Sequence, residues 1–285
     1  MRMLAFSLRT RAYRGFRDWN ICYERVFEYG SVLEVLAASK PRRVLDVAGD
    51  ISIFGCFVAH ELECAVDIVD IGNLEYCDRI RRHMPHGAQL VSLMPRTKAE
   101  ELPPDRRYDV VYCISSIEHF DGHADLRFVE SAAGLLEDGG LLLLTAPYTN
   151  AQETKRIYRE QTYNSIHGMP EADPGFYMRY YSLSAIRQLA ERSGLELVRL
   201  SFAGEIINFC EPIFQFGTTP ARGRWTMWPR YVASRAIGAL SPLYPFLFMR
   251  ESSDPGSFTC GPRRSTPCNP DTFFLVLRKA APTPL

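Results

Sequence analysis

The stretch that most constrains this 285-residue chain is Val44 to Gly55, VLDVAGDISIFG. An apolar run broken only by Asp46 suits a strand buried on both faces. A turn of small residues follows, and Phe54, Phe57, Val58 and Leu62 then fall on one stripe of a helix. Strand, tight turn and helix in that order outline a nucleotide-binding first unit, with backbone N–H groups gathered at a helix start.

The alternation continues along the chain. Further strands are expected over Ala65–Val69, closing on Asp70, then Ala88–Leu93, Tyr108–Ile114, Leu141–Thr145, Leu195–Phe202 and Thr272–Leu277. Leu126, Val129, Ala133 and Leu136 space a helix that Gly139-Gly140 breaks. Ser182 caps another, with Leu183, Ile186, Leu189 and Ala190 inward and Gly194 just past its end. Near the start, Ser31 and Glu34 form a capping box opening a short helix that Lys40-Pro41 ends, after an earlier helical stretch carrying Tyr23, Val26 and Phe27. Strands alternating with helices imply parallel crossovers, whereas no clear helix separates the last two strands, so the last runs antiparallel. The expected division is a helical segment over 1–40, an α/β domain over 41–203 plus 271–280, and an insertion or cap over 204–270. That insertion is rich in aromatics, among them Phe209, Phe214, Phe216, Trp225, Trp228, Tyr231, Tyr244, Phe246 and Phe248.

Charge excludes one class of partner: 33 basic residues balance 33 acidic ones, which argues against nucleic acid. None of the eight cysteines forms a CxxC pair and several lie in apolar runs, so buried thiols in a reducing, cytoplasmic setting are expected, with no metal site. Cys260 and Cys268 alone share a polar loop. The start carries Arg2, Arg9, Arg11, Arg14 and Arg17 and no acid, read as a basic flank to the domain. The uncharged stretch Ala236–Met249 contains Gly238, Pro242 and Pro245 and is too short and broken to span a bilayer. Peripheral membrane contact stays an open alternative to its packing as a lid.

Five segments carry a resemblance to a known family: VLDVAGDISIF (44–54), AVDIVDI (65–71), KAEELP (98–103), YDVVYCISSIEHF (108–120) and LLEDGGLLLLTAPY (135–148). RYYSLSAIRQLAERSGLELV (179–198) adds to them. The chain resembles the class I S-adenosylmethionine-dependent methyltransferases over about Arg43 to Phe202 plus the terminal strand. The resemblance implies a Rossmann-like, doubly wound, seven-stranded, mostly parallel sheet with an antiparallel last strand, and S-adenosyl-L-methionine as cofactor. It also implies a small-molecule acceptor, in flavour a sugar or secondary metabolite methylated at oxygen. The alternative is a methyltransferase-like scaffold or partner-binding protein that has lost normal cofactor binding.

Matched residue by residue, the resemblance puts Asp46 at the acid that orients the turn and Asp70, with Ile71 beside it, at the acid that holds the ribose diol. A carboxylate accepts both hydroxyl hydrogens of such a diol. Ala48, Gly49, Ala99, Glu100, Ile114 and Ser115 complete the expected cofactor contacts. Two departures stand out. Ala48, Asp50 and Ser52 occupy the places of the family's three glycines, with Ala48 fitting there on condition that its φ stays negative, and Lys98 replaces an acid that contacts adenine. His119 and His167 are the candidate catalytic bases, because histidine titrates near neutrality and His167 lies in the long connection after the fifth strand. Tyr148 is a candidate acceptor-pocket residue.

Overall fold

The computed structural model describes residues 2–12, 23–205, 249–258 and 272–281. An N-terminal helix α1 (Arg2–Arg9) precedes α2 (Tyr23–Ser39), and an alternating series follows: β1 (Arg43–Val47), α3 (Phe54–Leu62), β2 (Ala65–Asp70), α4 (Glu75–Arg82), β3 (Val91–Pro95), β4 (Tyr108–Ile114), α5 (Ala124–Leu135) and β5 (Leu136–Pro147). Next come a β6 (Lys155–Tyr158), α6 (Tyr163–Ile166), β7 (Phe176–Tyr180) excursion, then α7 (Leu183–Ser193), β8 (Glu196–Glu205), β9 (Met249–Ser252) and β10 (Thr272–Arg278).

The main sheet has the order β3-β2-β1-β4-β5-β10-β8-β9. β1 lies parallel to both β2 and β4, so strand order reverses direction between β1 and β4. In an open α/β sheet this switch point leaves a crevice beyond the strands' carboxyl ends, where ligands bind. β10 inserts antiparallel between β5 and β8, as its continuous apolar run TFFLVL predicts for a central strand.

Period-two alternation sorts the strand side chains onto two cores. Leu45, Val111, Leu142 and Phe273 pack with Phe128, Val129, Ile186 and Leu189 of α5 and α7. Val44, Val110, Tyr112 and Phe274 pack with Tyr29, Leu36, Phe54 and Phe57 of α2 and α3. Asp46, two residues on from Val44, shares the second face.

Several expectations need correction. The sheet has eight strands, with a separate two-stranded β6–β7 hairpin, in place of seven. Residues 31–34 open no helix: α2 runs unbroken from Tyr23 to Ser39, with Ser31 buried inside it. Burial of Tyr29, Val32 and Leu36 on the sheet outweighs the local preference of Gly30-Ser31 for a break. Helix α5 stops at Leu135, and Gly139-Gly140 lies within β5. There the register against β4 jumps from Tyr108↔Leu136 to Val110↔Leu141. Gly139 takes φ +78°, and a Cβ on Gly140 would sit 2.8 Å from the Glu137 carbonyl, so the two glycines make this irregularity rather than a helix end. Ala88–Leu90 is a turn of 3-10 helix before β3.

Other expectations hold. Ser182 accepts from the Ala185 N–H at 3.4 Å and Gly194 closes α7 at φ +66°. Cys56, Cys64, Cys77 and Cys113 are buried free thiols. Phe6 of α1 packs edge-on against Phe57 at 5.5 Å, and Arg2 reaches Glu61 at 3.1 Å. Among the described residues no helix is long and apolar enough to cross a membrane. The aromatics from Phe209 to Phe248, Cys260 and Cys268, and Arg14 and Arg17 lie outside the described residues.

Candidate functional site

The carboxyl ends of β1, β2 and β4 bring together three turns. In the first, the Ala48 N–H bonds to the Val69 carbonyl at 2.8 Å, which ties β1's exit to β2. Ala48 sits at φ +62°. The negative φ on which an easy fit of Ala48 in this turn depended is therefore not met. An L-residue with a side chain pays about 1–2 kcal/mol for the left-handed conformation. Gly49 is wedged in the same turn, where a Cβ would lie 2.8 Å from Ile68 and 3.0 Å from Asp46 Oδ2. Gly55, at the start of α3, is tighter still: a Cβ there would lie 2.6 Å from Asp46 Oδ2. The close-approach glycines here are thus 49 and 55.

Asp46 lies inside the sheet face beneath this turn, 3% exposed, and its Oδ2 has no hydrogen-bond partner. Burial pushes its carboxyl up to about 7, with the Tyr112 hydroxyl and Gly55 N–H pulling it back and Asp70 raising it.

Asp70 ends β2. Its Oδ1 accepts the Gly72 N–H at 2.6 Å and its Oδ2 the Asp50 N–H at 3.0 Å. Each oxygen keeps a further lone pair. Burial raises its pKa, while the two backbone N–H groups lower it, Asp50 raises it and His167 lowers it. Asp50 Oδ1 turns to the Leu74 N–H at the start of α4, at 3.0 Å. Both carboxylates border Gly72, where a Cβ would meet Asp50 Oδ2 at 2.7 Å and Asp70 Oδ1 at 3.1 Å. Asp50 therefore laces the first turn to the second. Beneath them the Cys77 thiol lies 3.1 Å from the Gly49 carbonyl.

Beyond β3, Ala99 is buried with Val69, Leu102 and Ile117, and Ala48 packs against this group; Glu100 and Lys98 face solvent. Ile71 and Ile114 are half-buried. Ser115, after β4, adopts φ +40°. Its N–H meets the Thr145 carbonyl at 2.9 Å, and the next residue's hydroxyl, on Ser116, reaches the Ala48 carbonyl at 3.3 Å.

The β6–α6–β7 excursion folds as a flap over this edge. His119 Nδ1 donates to the Tyr177 carbonyl at 2.6 Å, and its ring lies 4.4 Å from that of Tyr163. Burial lowers its pKa to about 4, so the imidazole is neutral. The Arg159 guanidinium stands 3.8 Å over the Tyr177 ring. Asp121 accepts from the Ala172 and Asp173 N–H groups, and Arg179 binds Asp125 at 2.6 Å. The charge on Asp70 also bears on Tyr163. Tyr148 is buried edge-on against Phe202 at 4.7 Å, in the core rather than lining this edge.

The structure thus gathers Ala48, Gly49, Asp70 and Ser115 at one edge, places His167 within electrostatic reach of Asp70, and commits His119 to the flap. The sequence reading left out Arg25, Glu28 and Tyr29 of α2. Tyr29 stacks on Phe54 at 4.5 Å and meets the Ser52 hydroxyl at 3.2 Å. Arg25 and Glu28 form a buried pair at 2.6 Å. Their i, i+3 spacing was the one available signal.

A family model described as "Methyltransferase domain" matches residues 24–200. The chain belongs to the class I S-adenosylmethionine-dependent methyltransferases. The match begins within α2, so that helix belongs to the family's domain along with the sheet. Among solved structures, the chain is similar to Burkholderia thailandensis 1,6-didemethyltoxoflavin-N1-methyltransferase, crystallised with 1,6-didemethyltoxoflavin and S-adenosylhomocysteine. The two share 12% identity and a TM-score of 0.53 over 98% of this chain and 89% of that one. It is also similar to the [4+2]-cyclase SpnF, at 16% identity and TM-score 0.53 over 90% of this chain and 81% of that one. These likenesses are of fold, and the fold therefore serves more than one reaction. No protein of curated function matches the sequence.

The residues at the edge fit the family's cofactor. Asp70 has lone pairs left for a diol, and the Ala48 and Ser115 carbonyls, each holding one donor beyond 3.2 Å, keep room for an ammonium, while Ala99 lies in the apolar core beside this edge. Asp50, which would oppose a carboxylate, is turned to Leu74.

Proposed function

We propose that the chain transfers a methyl group from S-adenosyl-L-methionine to a hydroxyl oxygen of a small-molecule acceptor, a sugar or secondary metabolite, in the cytoplasm. The observation that carries this reading is Asp70: a buried carboxylate at the switch-point edge, held by two backbone N–H groups, with acceptor capacity to spare. The four buried thiols suit a reducing compartment.

When bound, the cofactor supplies a methyl group on a sulfonium, and the protein's task is mainly alignment and exclusion of water. Asp70 holds the ribose. The Ala48 and Ser115 carbonyls would hold the ammonium, and Ile71 and Ala99 would border the adenine. The flap covers the acceptor through Tyr163 and Tyr177. His167 takes the acceptor's hydroxyl proton on its imidazole. His119 is the weaker base, since its Nδ1 is committed to Tyr177 and its pKa is depressed to about 4.

One observation favours a second reading, a methyltransferase-like protein that does not bind the cofactor: Asp50 sets a second carboxylate beside the ribose acid. Calorimetric titration of S-adenosylhomocysteine separates the two. We expect saturable binding, weakened by about ten- to a hundred-fold in Asp70→Ala, the scale of a lost hydrogen bond to a charged acceptor. No binding at millimolar ligand would sink the enzyme reading. An unchanged affinity in the variant would show that the ribose lies elsewhere. An acceptor panel monitored for S-adenosylhomocysteine release then identifies the substrate.

A further inference from the structure

Ser115 is one of two non-glycine residues at φ above zero that face each other across the β1/β4 crevice, the other being Ala48. A serine resists that conformation, because its Cβ crowds its own backbone. Such strain persists only where the surroundings over-determine it. Here they do. The Ser115 N–H is shared between the Thr145 carbonyl at 2.9 Å and its hydroxyl at 3.1 Å. The Ser115 hydroxyl donates to Glu28 Oε1 at 2.5 Å. Arg25 Nη2 lies 3.4 Å from the Ser115 carbonyl, and Arg25 Nη1 grips Glu28 Oε2 at 2.6 Å. The Thr272 hydroxyl stands 3.2 Å from the same Glu28 oxygen that Ser115 uses. Glu28 is 1% exposed and Arg25 is 8% exposed.

We infer that Glu28, seconded by Arg25, is a positioning residue: it clamps Ser115 in the left-handed conformation and so aims the Ser115 carbonyl and the adjacent Ser116 hydroxyl into the switch-point crevice. A buried ion pair is a poor choice for stability alone, since desolvating two charges offsets most of their attraction. It is a good choice for fixing one geometry. Glu28 supplies two oxygens, and three elements meet on them: α2 through Arg25, β4's exit through Ser115 and the start of β10 through Thr272. The clamp comes from an element about ninety residues upstream of the turn it holds, and the Glu28–Ser115 separation is 87 positions. The functional consequence rests on the cofactor reading above; the conformational one does not.

The test is a set of three single variants, Glu28→Gln, Ser115→Ala and Ser115→Gly, each followed by S-adenosylhomocysteine calorimetry, by hydrogen exchange of the 114–117 amides without ligand, and by thermal melting. Ser115→Ala keeps the strain and loses the clamp, so affinity should fall about ten-fold and exchange should speed up. Ser115→Gly loses the clamp and the strain together, so its affinity should fall several-fold less than that of Ser115→Ala. Glu28→Gln should behave as Ser115→Ala does, and adding Ser115→Gly to it should restore binding. A merely structural role would move melting temperature without this Ala-against-Gly contrast. Should Glu28→Gln fail to fold, the two variants at position 115 decide. Wild-type affinity and exchange in Ser115→Ala would overturn the clamp, as would equal losses in Ser115→Ala and Ser115→Gly. If the wild type itself binds no S-adenosylhomocysteine yet exchange at 114–117 quickens in Ser115→Ala and not in Ser115→Gly, the clamp stands and the cofactor reading falls.

Discussion

At the scale of single residues, the altered glycine turn is a redistribution of roles. Ala48 accepts the left-handed conformation at φ +62° that a glycine would take freely, and Gly49 and Gly55 take over the close approach to Asp46. Asp50 exchanges the freedom of glycine for two tethers, its N–H to Asp70 and its carboxylate to Leu74. Ala48→Gly removes the steric cost of positive φ and adds chain entropy to the unfolded state. The first term is the larger, so the variant should be more stable by about 1 kcal/mol or slightly less, read from the urea midpoint at unchanged m-value. A loss of stability would mean that the Ala48 methyl, packed against the Val69–Ala99 cluster, contributes more by burial than its backbone costs.

At the scale of elements, the flap is held by few but deeply buried contacts. Arg179 of β7 binds Asp125 at the start of α5 at 2.6 Å and also reaches the Phe120 and Gly122 carbonyls. Tyr181 gives Asp125 a further hydrogen bond at 3.0 Å. Both partners of the pair are almost fully buried. Removing one leaves a charge in the interior, whereas removing both does not. Arg179→Met should therefore cost about 3–5 kcal/mol in chemical denaturation, and the Arg179→Met/Asp125→Asn double variant markedly less. Equal losses in the single and double variants would show that the guanidinium matters through its packing on Phe176 rather than through its charge. The sequence marked this connection as long, with His167 in it, but left its order unread. The pairs that hold it, Arg179–Asp125 and His119–Tyr177, join residues more than fifty positions apart.

At the scale of the whole molecule, two buried groups set opposing trends of stability with pH. The folded-state pKa of Asp46 is raised from 3.8 to about 7. The unfolded chain therefore ionises first, and stability present below pH 3.8 is lost progressively up to about pH 7, by on the order of 4 kcal/mol. His119 has the opposite sign. Its pKa is lowered from 6.5 to about 4, so the unfolded chain takes the proton first as pH falls, and stability drops below pH 6.5 by on the order of 3 kcal/mol. Between about pH 4 and 6.5 the two nearly cancel in the wild type. Asp46→Asn should unmask the histidine, with stability rising over that window, and His119→Gln should unmask the carboxyl, with stability falling. Urea unfolding at pH 4.5, 5.5 and 6.5 checks both, and parallel profiles for all three proteins would contradict them.

The sequence by itself determined the strands β1–β5, β8 and β10 with the helices α3, α5 and α7 among them, the antiparallel last strand, the buried thiols, the caps of α7 and the place of Asp70 at the end of β2. Each of these rests on local periodicity, on a single residue's backbone preference, or on motifs that follow strand ends. Only the tertiary structure decided that α2 is one unbroken helix, that Gly139-Gly140 shapes a strand, and that Ala48 turns at positive φ. It alone showed that Asp46 is sealed inside, that His119 is committed to the flap, and that Arg25 and Glu28 hold Ser115. The reason is the same in each case: burial against a distant element outweighs local propensity by more than propensity is worth, and the partner's position along the chain carries no mark in the local sequence.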